Sequence, residues 1–214
     1  MATEHAGSRR LHRGPIHAFV PELRLRLASD TMRLWEEAER AMGRGELDPP
    51  FWASVWPGGL TLARYLLEHP ENVLGRSVVD VASGCGVVAI AAALAGAGKV
   101  LAHDTDALAV RATRMNARLN GVGVSAFEAD VRLVSAPSGA LVTAGDVFYD
   151  RAIAAAMLEG LARLAGTGAE VLVGDPHRGF LPRARLDPLA EFDISVGTDL
   201  ESEPVKTTLV ARFA

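Results

Sequence analysis

From Ser77 to Asp175 the chain repeats one unit: a short apolar run, a punctuating turn, then a stretch of helical periodicity. "SVVDVA" is followed by "GVVAIAAALAGAG", "KVLAHD" by "DALAVRATRMNARLNG", and "ALVTAGDVFY" by "RAIAAAMLEGLARLAG"; "VSAFEAD" and "AEVLVGDP" read as two further strands. Alternation of this kind requires crossover connections, which set the strands parallel and place helices on both faces of one sheet. The end of the chain departs from it. "FDISVGTDL" and "KTTLVARF" are both strand-like with no helix between them, so they pair antiparallel. The expected fold is α/β, a Rossmann-like, mostly parallel sheet closed by an antiparallel C-terminal hairpin.

What precedes residue 77 reads as an extension. Residues 1–15 are polar and rich in Gly and Arg, and are expected to be a mobile tail. Residues 16–76 form an N-terminal extension packing on the core, and residues 77–214 form the core itself, in one globular unit. "PELRLRL" alternates Leu and Arg with period 2, a half-buried extended segment. Ser29 and Asp30 are placed to cap a helix through "TMRLWEEAERAM". Pro57-Gly58-Gly59 reads as a turn, and "LTLARYLLEH" as an amphipathic helix after it.

Composition removes several function classes. The 214 residues carry a net charge of −4, which gives no general attraction to nucleic acid or anionic membrane. The six histidines show no ligand spacing, so no metal site is expected. The longest apolar run, "VVAIAAALA", is too short to span a bilayer. Cys85 is the only cysteine, which fits a reducing, cytoplasmic compartment; the arginines near residue 10 would allow a mitochondrial one only as a targeting segment.

The first strand-to-helix turn, "DVASGCG", suggests a ligand. Gly84 and Gly86 allow close approach to the backbone, and the helix after them offers free N–H groups. Ligands of open α/β sheets bind at the strand C-termini. Asp104 ends the second strand, 20 residues after Gly84, where a carboxylate can accept both hydroxyls of a ribose. Asp130 ends the third strand, where a purine would lie. "GCGVVA" also fits a nicotinamide dinucleotide, but Asp80, four residues before Gly84, would repel a pyrophosphate. An adenosine ligand bearing an amino group and a sulfonium, such as S-adenosylmethionine, suits it. Cys85 has no partnered base and reads as a small packing residue.

"DVASGCG", "AHDTD" and the hairpin tail resemble the seven-strand S-adenosylmethionine-dependent methyltransferases. More narrowly, "VPELRLRL", "LWEEAE", "PPFWASVWPGGLTLARYLLEHP", "GDVFYD" and "VLVGDPHRGFLPR" resemble the lysine methyltransferases of the electron transfer flavoprotein beta subunit and their bacterial relatives, over roughly residues 19–213. The resemblance implies strand order 3-2-1-4-5-7-6 with strand 7 antiparallel. It implies that the turn Ser83-Gly84-Cys85-Gly86, with Asp80, Asp104, Asp130 and Asp146, holds the cofactor, and that Trp56 helps bound it. Ala82 stands where a first glycine is usual.

The resemblance also turns "GDVFYD", residues 145–150, toward the substrate. A sulfonium methyl is already activated, so transfer needs positioning and a lysine in its neutral form. Asp146 would orient the cofactor's amino group or the incoming amine. Phe148 and Tyr149 would wall a channel for an aliphatic stem with a cationic head, with Trp52 roofing the cleft. Asp150 would attract the ammonium and pass its proton to water. The alternative is that Phe148 and Tyr149 are both core, with Asp150 capping the next helix. The function implied is protein-lysine N-methylation, with the electron transfer flavoprotein beta subunit as the protein partner. The rivals are a small-molecule (nicotinamide-type) or ribosomal-protein N-methyltransferase and an NAD-binding oxidoreductase.

Overall fold

The computed structural model describes residues 10–12, 19–42, 48–195 and 205–214. Eight strands form one sheet: β1 (Arg10–His12), β2 (Ser77–Val81), β3 (Lys99–Asp104), β4 (Ser125–Glu128), β5 (Leu141–Gly145), β6 (Glu170–Asp175), β7 (Leu186–Ser195) and β8 (Val205–Phe213). Their spatial order is β1-β7-β8-β6-β5-β2-β3-β4. Counted from β2, the seven core strands stand in the order 3-2-1-4-5-7-6. Only the seventh, β8, runs antiparallel to its neighbours, β6 and β7. β1 adds a short parallel edge strand beside β7. Three residues of the expected mobile tail thus lie in the sheet; the rest of that tail is outside the described residues.

Among the described residues, five helices flank the sheet: α1 (Thr31–Met42), α2 (Pro57–Glu68), α3 (Val87–Leu94), α4 (Ala107–Leu119) and α5 (Arg151–Gly166). One apolar cluster joins Val78, Leu141, Leu172 and Val210 of the sheet to Leu62 and Leu66 of α2, Ile90 of α3 and Val110 of α4. The other joins Val79, Val142, Val171 and Val173 to Leu161 and Leu164 of α5. Period-2 strands thus send alternate side chains to two cores.

The extension is fastened to α4. Asn120 accepts the Arg24 N–H and donates to the Arg24 carbonyl, while Asn116 accepts the Arg26 N–H. Asp30 accepts the Arg33 N–H and so caps α1.

One local expectation is corrected. Pro57-Gly58-Gly59 is not a turn but the first turn of α2, with Pro57 at a position where its missing N–H costs nothing. The glycines serve close packing. A Cβ on Gly58 would overlap the Gly174 carbonyl of β6, and one on Gly145 would sit 2.6 Å from Gly59 Cα. The helix therefore starts directly on the C-terminal ends of β5 and β6.

Candidate active site

The glycine turn leaves β2 with left-handed backbone at Ala82 (φ 54°), Gly84 (φ 52°) and Gly86 (φ 85°). Ala82 carries a Cβ in that region, a strain of about 1–2 kcal/mol. The turn is held from α4. Thr113 donates its hydroxyl to the Gly84 carbonyl at 3.1 Å, and Asn116 donates its amide to the Cys85 carbonyl at 2.9 Å. A Cβ on Gly86 would lie 2.9 Å from Thr113 Cγ2, so only glycine fits there. Thr113 and Asn116 are fully buried, and the sequence reading missed both. Their signal was two polar residues three apart on the buried face of an amphipathic helix. Cys85 is buried too, and burial pushes its thiol up to about 12, the behaviour of an inert packing residue.

Asp80 is 1% exposed. Its Oδ1 accepts the Thr143 hydroxyl at 2.8 Å, whereas its buried Oδ2 has no hydrogen-bond partner among the described residues. Burial raises its pKa to about 7, against the Thr143 bond and the smaller pull of the Ala89 N–H in the first turn of α3. A buried carboxylate oxygen left open is costly unless a donor arrives. Asp104 accepts the Gly84 N–H at 2.8 Å and the Asp106 N–H at 3.0 Å, one on each oxygen, and burial raises its pKa. Each oxygen keeps a second lone pair for a ligand. Asp130 follows β4 and is bound on both oxygens by Arg132, at 2.9 and 2.7 Å, which holds its pKa down at about 2. His103 stacks on Phe127 with ring centroids 5.7 Å apart.

The "GDVFYD" segment divides. The strand stops at Gly145, because Asp146 takes φ 61°. The Asp146 carboxylate is buried. It accepts the Gly58 N–H of α2 at 3.0 Å and forms an ion pair with Arg178 at 2.6 Å. Phe148 is 0% exposed, inside the apolar cluster under α5. This corrects its expected place in a substrate channel: its ring points into the core, as the hydrophobic effect favours for a residue the backbone turns inward. Tyr149 points the other way and is 39% exposed. Its ring lies 5.3 Å from Phe51, which in turn meets Trp56 edge-on at 5.7 Å. Trp56 donates its indole N–H to the Phe51 carbonyl at 2.9 Å and faces the Arg178 guanidinium at 5.9 Å. Asp150 caps α5, accepting the Ala152 and Ile153 N–H groups, which keep its pKa low. Trp52 is half-buried, with its Cα near Gly84.

A crevice opens between these parts at the C-terminal ends of β2 and β5, lined among others by Ser54, Trp56, Asp80, Gly84, Cys85 and Gly145. The sheet order reverses at this point, where ligands of open α/β sheets sit. Trp56, Asp80 and the glycine turn therefore meet in one place, with Asp104 joined to it through Gly84.

A family model described as ribosomal protein L11 methyltransferase (PrmA) matches residues 63–171. Across 202 residues the chain is 38% identical to the electron transfer flavoprotein beta subunit lysine methyltransferase of Danio rerio, covering 92% of this chain and 77% of the relative. The Homo sapiens protein of the same description is 35% identical over 205 residues, covering 92% and 76%. This chain belongs to that methyltransferase family. Two solved structures share its fold at low identity: the magnesium protoporphyrin IX methyltransferase of Synechocystis with bound S-adenosylmethionine (TM-score 0.55, 17% identical, covering 86% of this chain and 93% of that one) and the tRNA (uracil-54, C5)-methyltransferase of Pyrococcus abyssi with S-adenosyl-L-homocysteine (0.51, 18%, 75% and 40%). The family member is an S-adenosylmethionine-dependent enzyme. Its own residues fit that ligand: the open Asp80 Oδ2 suits a cationic amino group, and Asp104 suits a ribose diol.

Proposed function

We propose that this protein methylates lysine side chains of a protein substrate, and that the substrate is the electron transfer flavoprotein beta subunit. The observation that carries the reading is the field around Tyr149. Burial and the carboxylates of Asp104, Asp150, Asp48 and Asp146 together push its hydroxyl up to about 12. Tyr149, Phe51 and Trp56 form an aromatic wall, with the Asp150 helix cap next to Tyr149 in sequence and the Arg178 partner of Asp146 facing Trp56. An ammonium on a thin aliphatic stem is the guest that such a passage attracts.

The bound cofactor supplies a methyl group already activated on sulfur. The protein's part is to hold and to aim. In this reading Asp80 takes the cofactor's amino group, Asp104 the ribose and Asp130 the purine side, while Ser83, Gly84, Cys85 and Gly86 form the floor. Trp56 and Trp52 bound the cleft. Tyr149 lines the amine's path, Asp150 draws the cation in, and Asp146, pinned by Gly58 and Arg178, fixes the inner end. An ammonium bound among carboxylates must still lose a proton before it can act as a nucleophile.

The rivals predict other things. A ribosomal-protein or small-molecule methyltransferase would use the same cofactor floor; the model for that family matches mainly the floor and the helices around it. An NAD-binding enzyme would place a pyrophosphate near the open Asp80 oxygen, which electrostatics disfavours. No helix among the described residues is long and apolar enough to cross a membrane. A cytoplasmic site of action and a partner that is not nucleic acid belong to the same proposal. Calorimetry with S-adenosylhomocysteine and with NAD separates the cofactor classes: the first should bind and the second should not, and the reverse result would end the reading.

A further inference from the structure

Asp175 ends β6 as Asp146 follows β5. The two strands are paired at Gly145 and Gly174, so the two aspartates leave adjacent strand ends side by side. Arg178 touches both. Its backbone N–H donates to Asp175 Oδ1 at 2.6 Å, and its Nε donates to Asp146 Oδ1 at 2.6 Å. His177, between them, takes φ 62°, which turns the chain back so that Arg178 reaches Asp146. Asp175 is 1% exposed, and its Oδ2 is buried with no hydrogen-bond partner among the described residues.

We propose that Asp175 is the proton acceptor for the target amine, working beside the fixed charge of Asp146. The inference rests on the lysine-methylation reading above. The other groups near the passage are poorly suited to the task. Tyr149 is held as a neutral phenol, and Asp150 is held ionised by its capping bonds. Asp146 is engaged by an arginine and a backbone N–H. Asp175 has an oxygen to spare. The charged groups acting on it are Asp146 from the end of β5 and Arg178 and Arg183 from its own loop; opposite it β8 presents the apolar Leu209. Burial, with help from Asp146, raises its pKa to about 7 in spite of the Arg178 N–H bond. One carboxylate fixed by an arginine and a backbone N–H, beside another with an oxygen to spare, is an arrangement that can divide fixed charge from proton transfer.

The step balances. One N–H bond of the lysine ammonium breaks, its proton joins Asp175 Oδ2, directly or through one water, and the electron pair stays on nitrogen. That pair forms the new N–C bond as the methyl–sulfur bond breaks, with its electrons left on sulfur. Asp175 then returns its proton to solvent.

Asp175→Asn tests this, because asparagine can still accept the Arg178 N–H and only the charge is lost. Methyl transfer from labelled S-adenosylmethionine to recombinant electron transfer flavoprotein beta subunit is measured from about pH 6 to pH 9 at saturating cofactor. The wild-type rate should rise through pH 7. The D175N rate should be lower by about tenfold to a thousandfold, the rise near pH 7 should vanish, and S-adenosylhomocysteine affinity should stay within a few-fold. A D175N enzyme at the wild-type rate overturns the proposal. So does a slower one that keeps the same rise, which would make Asp175 only a turn former. If D175N does not fold, carboxyl NMR of the wild-type chain decides: Asp175 titrating between about pH 6 and 8 in step with turnover supports the role, and Asp175 ionised throughout overturns it. A wild-type enzyme that methylates no lysine at all would instead fail the underlying reading, and this inference with it.

Discussion

Asn116 donates its side-chain amide to the carbonyl of Cys85 at 2.9 Å, while its own oxygen accepts the Arg26 N–H at 2.8 Å. One fully buried side chain thus joins the N-terminal extension to the cofactor turn. Asn116→Ala strips a buried carbonyl and a backbone N–H of their partner. The expected loss is about 1–3 kcal/mol of folding stability, measured by denaturant unfolding. Affinity for S-adenosylhomocysteine should fall by up to about tenfold, the equivalent of about 1.4 kcal/mol. A destabilised variant that binds the ligand like wild type would show that the extension does not support the turn.

Asp80 gives cofactor binding a pH dependence of definite sign. Its pKa of about 7 in the fold lies above the ordinary carboxylate value, so the ligand-free folded protein holds a proton that the unfolded chain releases. The stability this contributes is present below about pH 4 and is lost as pH rises through about 7. A cationic amino group needs the ionised form. Affinity for S-adenosylhomocysteine should therefore rise between about pH 6 and 8, and binding near pH 6 should release a proton. Calorimetry in buffers of different ionisation enthalpy reads that proton directly. Asp80→Asn should abolish its release and weaken binding.

Asp104→Ala should weaken the cofactor by about 1–3 kcal/mol, the scale of a hydrogen bond to a charged group. From the sequence, with the ligand as its main partner, little change in stability would be expected. The structure alters that, because Asp104 also holds the Gly84 N–H at 2.8 Å. The melting temperature of the ligand-free variant should fall as well. Unchanged affinity in a folded variant would show that Asp104 does not hold the ribose.

Tyr149→Phe and Asp150→Asn should keep S-adenosylhomocysteine affinity within a few-fold and lose methyl transfer by roughly tenfold or more, as when positioning is lost. Asp150→Ala separates capping from chemistry. Asparagine caps as well as aspartate whereas alanine does not, so only the alanine variant should also melt at a lower temperature. If Asp150→Asn turns over at the wild-type rate, Asp150 serves the helix alone.

Much of this was legible before the fold was seen, for identifiable reasons. The alternation of strands and helices rests on hydrophobic period, which local sequence carries, whereas the order of the strands in the sheet came only from the family resemblance. Gly84, Gly86, Asp80 and Asp104 sit at fixed offsets from one strand-to-helix turn, so spacing alone draws them together. Three features were not legible. Gly58 read as part of a turn because the Asp146 and Gly174 backbones that require it lie about 90 and 115 residues away. Phe148 and Tyr149 are adjacent and chemically alike. Only the left-handed backbone of Asp146, which ends the strand, decides which ring enters the core. Thr113 and Asn116 serve a turn roughly 30 residues distant, a purely tertiary relation.

The central claim is that a lysine ammonium travels the Tyr149 passage to an S-adenosylmethionine methyl group. Its most direct test is to incubate the protein with methyl-labelled S-adenosylmethionine and the electron transfer flavoprotein beta subunit, then map the label by mass spectrometry. The account predicts methyl groups on lysine Nζ of that subunit, with the label strongly reduced for Tyr149→Phe. Label absent from every lysine while the protein methylates a small amine or a ribosomal protein at its N-terminus would contradict it.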